Sequence, residues 1–307
     1  MNKYDELLKI KKQQRIKELL CIWSILIIPL INLCIFWVYG TIQSVPIAFE
    51  HRFIDGTTIY DFFNFQTIFT QFKEPGSLIL ESLKNTLTYW SIGFFFIMPT
   101  CFLIAFFLYK KIVGFKFFRL VFFFPSIISS VIIAAFFKYI FGPDGQMQLI
   151  WEKLFGIKDA MFFADSTYAL GTMIFYNLYT GLTGLLLYWL SAYARLPEEI
   201  MEAGKIDGLT TLGEFWYIAV PLILPFYATM SLLNITGILG AGGPALLLTG
   251  GAYGTHDIPY YEYKLTISGT LNDQGMAGAV GLLKGTIVLP IALVVNKVVD
   301  KIETVEY

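Results

Sequence analysis

Charge is scarce in this chain. Lys, Arg, Asp and Glu make up 15% of its 307 residues, against about a quarter in soluble domains. Hydrophobic residues reach 56% and aromatic residues 17%. The charge deficit argues against an ordinary soluble globule and points to a polytopic membrane protein. Cysteine is scarce too. Cys21, Cys34 and Cys101 lie inside apolar runs, so neither a disulfide framework nor a metal cluster is indicated. The only histidines, His51 and His256, are too few and too isolated for a metal site. The net charge of −1 marks out no polyanionic partner, and no nucleic acid is expected.

Catalytic signatures are missing as well. No G-x-x-x-x-G-K-[ST] phosphate loop occurs; the nearest string, Gly278 to Thr286, has Leu283 where Gly must precede Lys284. His-Glu-x-x-His, Cys-x-x-Cys and G-x-S-x-G are absent. The expectation is therefore no catalytic residue, no metal and no cofactor bound by this chain. ATP, if used, is hydrolysed elsewhere.

What the chain has in quantity is apolar length. A bilayer core of about 30 Å asks for about 20 apolar residues per helix. Six runs qualify, at 19–38, 89–109, 120–140, 168–193, 218–239 and 277–299. Leu19–Val38 is longer than a signal-peptide core of about 7–15 residues and lacks a small-x-small exit, so it reads as a retained span. Lipid leaves only helices or closed barrels. The expected fold is all-α: six transmembrane helices in one domain, 19–299, between tails 1–18 and 300–307. Basic residues set the orientation. Lys3, Lys9, Lys11, Lys12, Arg15 and Lys17 precede the first run, and Lys110, Lys111, Lys116 and Arg119 crowd the second connection. Arg195, Lys205, Lys297 and Lys301 fall on the same side. Both termini are thus expected in the cytoplasm. The outer connections, about 39–88, 141–167 and 240–276, are longer, and the glycines of the last suggest tight turns or re-entrant backbone.

The connection Pro197–Pro225 carries its own start and stop signals. Pro197 with Glu198 and Glu199 suits a first helical turn, and Asp207-Gly208 suits its end. Thr211 as N-cap and Glu214 three residues on would form a capping box for a second helix. Ile200, Ala203 and Gly204 share a face by spacing, and two of them are small enough for close approach by another surface. On spacing alone an ordinary amphipathic loop fits equally well.

Polar residues inside spans are the leads to a pathway. Tyr176, Asn177, Tyr179 and Thr180 cluster on the fourth run, with Asn177 and Thr180 on one face. Asn234 and Thr236 interrupt the fifth. Amide, hydroxyl and aromatic groups suit sugar recognition, and Asn177, Tyr179 and Asn234 would serve. The competing reading is helix-to-helix hydrogen bonding. Lys284 can snorkel to the outer interface, pair within the protein or line the pathway.

At residue level, Glu202-Ala203-Gly204, Asp207-Gly208, Phe215, Ile218 and Pro221 resemble the "EAA" loop of permeases in binding-protein-dependent ABC importers. The departures are Gly204 and Leu209, where that family has Ala. Asn85-Thr86-Leu87, the Pro125 region, and Phe141-Gly142 with Gly145 resemble its MalF/UgpA-like carbohydrate subgroup. Gly281-Leu282-Leu283-Lys284 and Val295-Asn296-Lys297 are similar to permeases for complex oligosaccharides or polysaccharide fragments. Gly242-Gly243-Pro244 stands nearer Pro221 than the common sugar permeases place it. The resemblance covers about residues 80–300.

The resemblance implies a MetI-like permease fold in a bacterial cell membrane, with a cytoplasmic coupling helix. It implies four kinds of partner beyond membrane lipid: a second, homologous permease, two ATP-binding subunits that use ATP and Mg, an extracellular sugar-binding protein, and an oligosaccharide. Glu202, Ala203, Gly204, Asp207 and Gly208 would couple to the ATPase. Asn177 and Gly181 fall where the family contacts sugar, alongside the Tyr179 and Asn234 already noted. A permease for a peptide, amino acid or polyamine is the nearest alternative, although those cargoes carry charge. A secondary transporter or channel would be expected to show intramembrane carboxylates, and none of the six runs contains one. An intramembrane enzyme or receptor lacks a catalytic constellation.

Overall fold

A computed structural model describes residues 3–53, 57–157, 160–268 and 270–301. The end of the expected C-terminal tail, 302–307, lies outside them. The helix that begins at Lys3 continues past Asn32 and ends at Phe49 (α1), so the expected N-terminal tail is helical from Lys3 and continuous with the first span. Outside the bilayer-length stretch follow a short hairpin, β1 (Glu50–Arg52) and β2 (Thr58–Tyr60), and α2 (Phe63–Lys73). Then come α3 (Leu78–Tyr109), α4 (Phe115–Ile127), α5 (Ser130–Phe141), α6 (Gln146–Phe155) and α7 (Ala169–Tyr193). The chain finishes with α8 (Glu198–Ile206), α9 (Thr211–Thr236), α10 (Ala245–Leu248), α11 (Ile258–Ile267) and α12 (Leu271–Val299).

Five of these, α1, α3, α7, α9 and α12, are long and apolar enough to cross a membrane. The run expected as a single third span, 120–140, is instead broken. Helices α4 and α5 meet at 106° across Ile128-Ser129, and they count as a sixth span only if the bent pair is taken together. The cause is local. Pro125 removes an amide donor from the last turn of α4, and Ile128 and Ser129 are extended, with ψ of 142° and 136°.

Three helices contain a widened, π-type turn: Leu33–Val38, Gly93–Ile97 and Phe215–Ala219. In the latter two the amides of Met98 and Val220 reach back five residues, to the carbonyls of Gly93 and Phe215. One residue separates each of these two turns from a proline, Pro99 or Pro221, whose ring would collide with a carbonyl four residues earlier. The extra residue in the turn relieves that crowding.

Because lipid tails are as apolar as side chains, shape fit and hydrogen bonds hold such helices together. One buried core joins α3, α7 and α9. Phe106, Trp189 and Tyr193 are fully buried there, and Phe102 packs edge-on against Trp189 at 5.1 Å and face-on against Tyr193 at 5.4 Å. The Tyr193 hydroxyl donates to the Phe102 carbonyl at 3.1 Å. On the other flank the end of α1 lies against α12, where a Cβ added at Gly278 would stand 3.3 Å from the Ala48 backbone. Asn64 fastens the hairpin from α2 by donating to the Ala48 and Glu50 carbonyls, each at 3.0 Å. Asn272 of α12 exchanges hydrogen bonds of 2.8 and 2.9 Å with the Arg52 backbone.

Candidate functional site: an elbow and a recess

The elbow forms as its local chemistry dictates. Pro197 caps α8 in an extended conformation, Glu198 and Glu199 occupy the first turn, and Lys205 the last. The helix ends in a Schellman motif. Gly208 N–H donates to the Lys205 carbonyl at 3.1 Å and Leu209 N–H to the Gly204 carbonyl at 3.0 Å. Gly208 makes this possible with φ of +81°, a conformation that costs any residue with a Cβ about 1–2 kcal/mol.

The second helix starts one residue earlier than expected. Thr210, not Thr211, is the cap, accepting from Gly213 N–H at 3.2 Å. Glu214 closes no capping box. It is buried and forms an ion pair with Lys110 at the end of α3. The charge that sequence spacing assigns to a cap instead ties two connections together.

The expected common face of Ile200, Ala203 and Gly204 is divided. Met201 and Gly204 face inward, Gly204 so tightly that an added Cβ would collide with Ile218. Glu202, Ala203 and Asp207 are exposed, as are Ile200 and, at 86%, Ile206. Phe215, Met201 and Tyr193 join this elbow to the aromatic core of α3, α7 and α9.

The second feature is a recess of about 380 Å³ at the α4–α5 bend. Pro125, Ile128, Ser130 and Ile133 line it from the bend, and Tyr176, Asn177 and Thr180 from α7. The turn Gly242-Gly243-Pro244 closes it. Asn177 and Thr180 share this wall as their spacing predicts. Tyr176 donates to the Ser130 carbonyl at 3.3 Å, and Thr180 to the Tyr176 carbonyl at 3.0 Å. No hydrogen bond engages the Asn177 amide among the described residues.

The other expected pathway residues lie elsewhere. Tyr179, two positions from Asn177, is not part of the recess lining; it is 37% exposed, with its ring 5.8 Å from the Phe137 ring of α5. Gly181 admits Ile97 of the widened turn in α3; a Cβ there would be 2.9 Å from it. Asn234 lies beside Trp90, whose indole N–H donates to its backbone carbonyl at 3.1 Å, and its side-chain oxygen is buried without a partner among the described residues. Lys284 pairs within the protein, its Nζ 2.6 Å from Glu262 of α11.

Sequence reasoning missed the buried polar cluster behind the recess. Asp257, 1% exposed, accepts from Gly243 N–H through Oδ2 and from Tyr260 N–H through Oδ1, both at 2.9 Å. Burial pushes its carboxyl above the usual carboxylate range, against the pull of those two donors. The glycines are a steric requirement here. A Cβ at Gly242 would stand 2.8 Å from Asp257 Oδ2, and one at Gly243 2.7 Å from the Tyr89 hydroxyl. Asn85 of α3 donates to the Gly254 and His256 carbonyls at 2.8 and 2.7 Å, and Thr86 accepts from Ile258 N–H at 2.9 Å. Asp257 followed by Ile-Pro is a helix-start signature that could have drawn attention to it.

The chain is 26% identical over 291 residues to the multiple sugar-binding transport system permease protein MsmF of Streptococcus mutans, covering 92% of this chain and 96% of that protein. It is 21% identical over 261 residues to the arabinooligosaccharides transport system permease protein AraP of Halalkalibacterium halodurans, covering 83% and 80%. Among solved structures, a bacterial ABC transporter involved in the import of the acidic polysaccharide alginate superposes with a TM-score of 0.77 at 22% identity, over 95% of this chain and 99% of that one. The methionine ABC transporter MetNI matches with a TM-score of 0.52 at 14% identity, over 74% and 96%. At these identities the two structures speak for the fold alone: it is the MetI-like permease fold. The model describing the inner membrane component of binding-protein-dependent transport systems matches residues 97–304, well over half of the chain, and the chain belongs to that family.

Proposed function

We propose that this chain is one of two permease subunits of an ABC importer for an oligosaccharide. It would form half of the translocation pathway and couple it to ATP hydrolysis by separate subunits. The observation that carries the proposal is the two-faced elbow. One face, Met201 and Gly204, is locked into the core shared by three spans, while Glu202, Ala203 and Asp207 project outward. A lever needs both properties: a rigid attachment to the rods it moves and a free face for the motor. The names of the sugar and arabinooligosaccharide permeases it matches support the cargo class.

In this reading the elbow and both termini face the cytoplasm, consistent with the basic residues around Lys110 and Arg195. Glu202 makes polar contacts with a groove on the ATPase, Ala203 permits close approach, and Gly208 fixes the angle between α8 and α9. Closure of the ATPase pair around ATP and Mg tilts α8, and the tilt passes across the Gly208 turn into α9 and along it past Phe215 and Pro221. Access to the recess then alternates, with Asn177 meeting sugar hydroxyls. Tyr179 flanks the pathway beside Phe137, Asn234 beside Trp90, and Gly181 acts by seating Ile97 against α7 next to Asn177. A sugar-binding protein delivers substrate from outside. Such a two-state element shifts only as far as each ligand prefers one state.

The test is a cysteine at Ala203 in the complex purified from its native membrane. Crosslinking to a co-purifying ATPase, together with recovery of a sugar-binding protein, is the expected outcome. No ATPase among the co-purifying chains, or labelling of that cysteine from outside the cell, would overturn the proposal.

A further inference from the structure

The chemistry of the recess at the α4–α5 bend narrows the cargo. Its polar groups are neutral, the hydroxyls of Ser130, Tyr176 and Thr180 and the amide of Asn177, and among the described residues none that lines it carries a charge. The charged side chain that touches its wall is Asp257, a carboxylate, held against Gly243 N–H at 2.9 Å. That contact occupies the backbone donor which a glycine turn could otherwise offer an anion.

The cations on α4, α5, α11 and α12 stand outside the lining of the recess. Lys116 and Arg119 are exposed in the first half of α4, with Arg119 over the Phe123 ring at 5.7 Å, and Lys264 is exposed in the last turn of α11. Lys284 is engaged by Glu262 at 2.6 Å. Lys138 is exposed in the last turn of α5, where it complements the helix dipole. A carboxylate entering such a recess would lose its hydration and gain no counter-charge in exchange, the arrangement that penalises a buried ion most.

We infer that this half of the pathway is shaped for an uncharged glycan and discriminates against one bearing uronic acids. The inference rests on the oligosaccharide reading above and sharpens it. The shared fold does not carry the cargo across: a solved structure that superposes well here belongs to an importer of an acidic polysaccharide, whereas the groups on this recess are those that recognise hydroxyls.

The experiment is ATP-dependent uptake by the whole complex, purified from its native membrane and reconstituted with its binding protein. It compares neutral gluco-oligosaccharides with oligogalacturonates of matched length. The neutral series is expected to enter about tenfold faster or better, the equivalent of roughly 1.4 kcal/mol of discrimination. Placing a cation in the recess, by Thr180→Lys and separately by Asn177→Lys, is expected to shrink that ratio in whichever variant still co-purifies with the ATPase.

Equal rates for the two series in the wild type would overturn the inference. A strong wild-type preference that both assembled variants leave unchanged would also overturn it, by locating the discrimination outside this recess. Failure to take up any glycan, with uptake of a peptide or amino acid instead, would overturn the oligosaccharide reading itself and this inference with it.

Discussion

Glu214 at the start of α9 is ion-paired with Lys110 at the end of α3, and both side chains are largely shielded, with exposures of 3% and 14%. The contact bolts the elbow to the connection that follows α3, so α3 and α9 are joined at this end by charge as well as by aromatic packing. Removing one partner of a shielded pair leaves the other uncompensated, a cost of about 3–5 kcal/mol where burial is complete. Glu214→Ala is expected to lower the thermal unfolding midpoint of the purified complex clearly, and the swap Lys110→Glu with Glu214→Lys to restore much of it. A midpoint unmoved by Glu214→Ala would show that the pair contributes nothing.

Gly208 has open space around the position of an added Cβ, so its requirement is torsional and not steric. Gly208→Val is expected to abolish uptake, because a β-branched residue is poorly accommodated at positive φ. Gly208→Asn should retain a substantial share, since Asn enters the left-handed region more readily. Uptake kinetics that are normal in the Val variant would remove Gly208 as the joint of the lever.

Asn177 offers the recess an amide with no hydrogen-bond partner among the described residues. Asn177→Ala is expected to raise the KM for transport several-fold, up to about tenfold, the worth of one or two hydrogen bonds. Co-purification with the ATPase should be unaffected. Unchanged uptake kinetics would take Asn177 out of the pathway.

Lys284 and Glu262 meet at 2.6 Å with exposures of 25% and 22%. Glu262→Ala, which strands the lysine within a span, should lower stability more than Lys284→Met with Glu262→Met, which removes both charges. Thermal unfolding of the three proteins decides it. A double variant less stable than the single one would mean that the pair itself, and not the avoidance of a lone charge, holds α11 to α12.

Much of this architecture is legible in the chain because its signals are local. Pro197, Asp207 and Gly208 announce the elbow within a dozen residues, and apolar length announces the spans. What sequence leaves open is angular and long-range. Two positions along a helix turn a side chain by about 200°, which separates Tyr179 from the recess that Asn177 lines. Adjacent threonines are chemically equal as caps, and only the surrounding fold selects Thr210 over Thr211. Pro125 could have been absorbed as a mild kink, as prolines in membrane helices often are, and here Ile128 and Ser129 turn it into a corner. Asp257 escaped notice because, beyond its local cap to Tyr260 N–H, its partner Gly243 belongs to a turn fourteen residues upstream.

No residue in the most apolar window of α1 is buried, and the helix is anchored at Ala48, beside α12. It is therefore a boom fixed at one end. Its heading is decided by whatever stands alongside it in the lipid, and an isolated copy of this chain would leave that heading free.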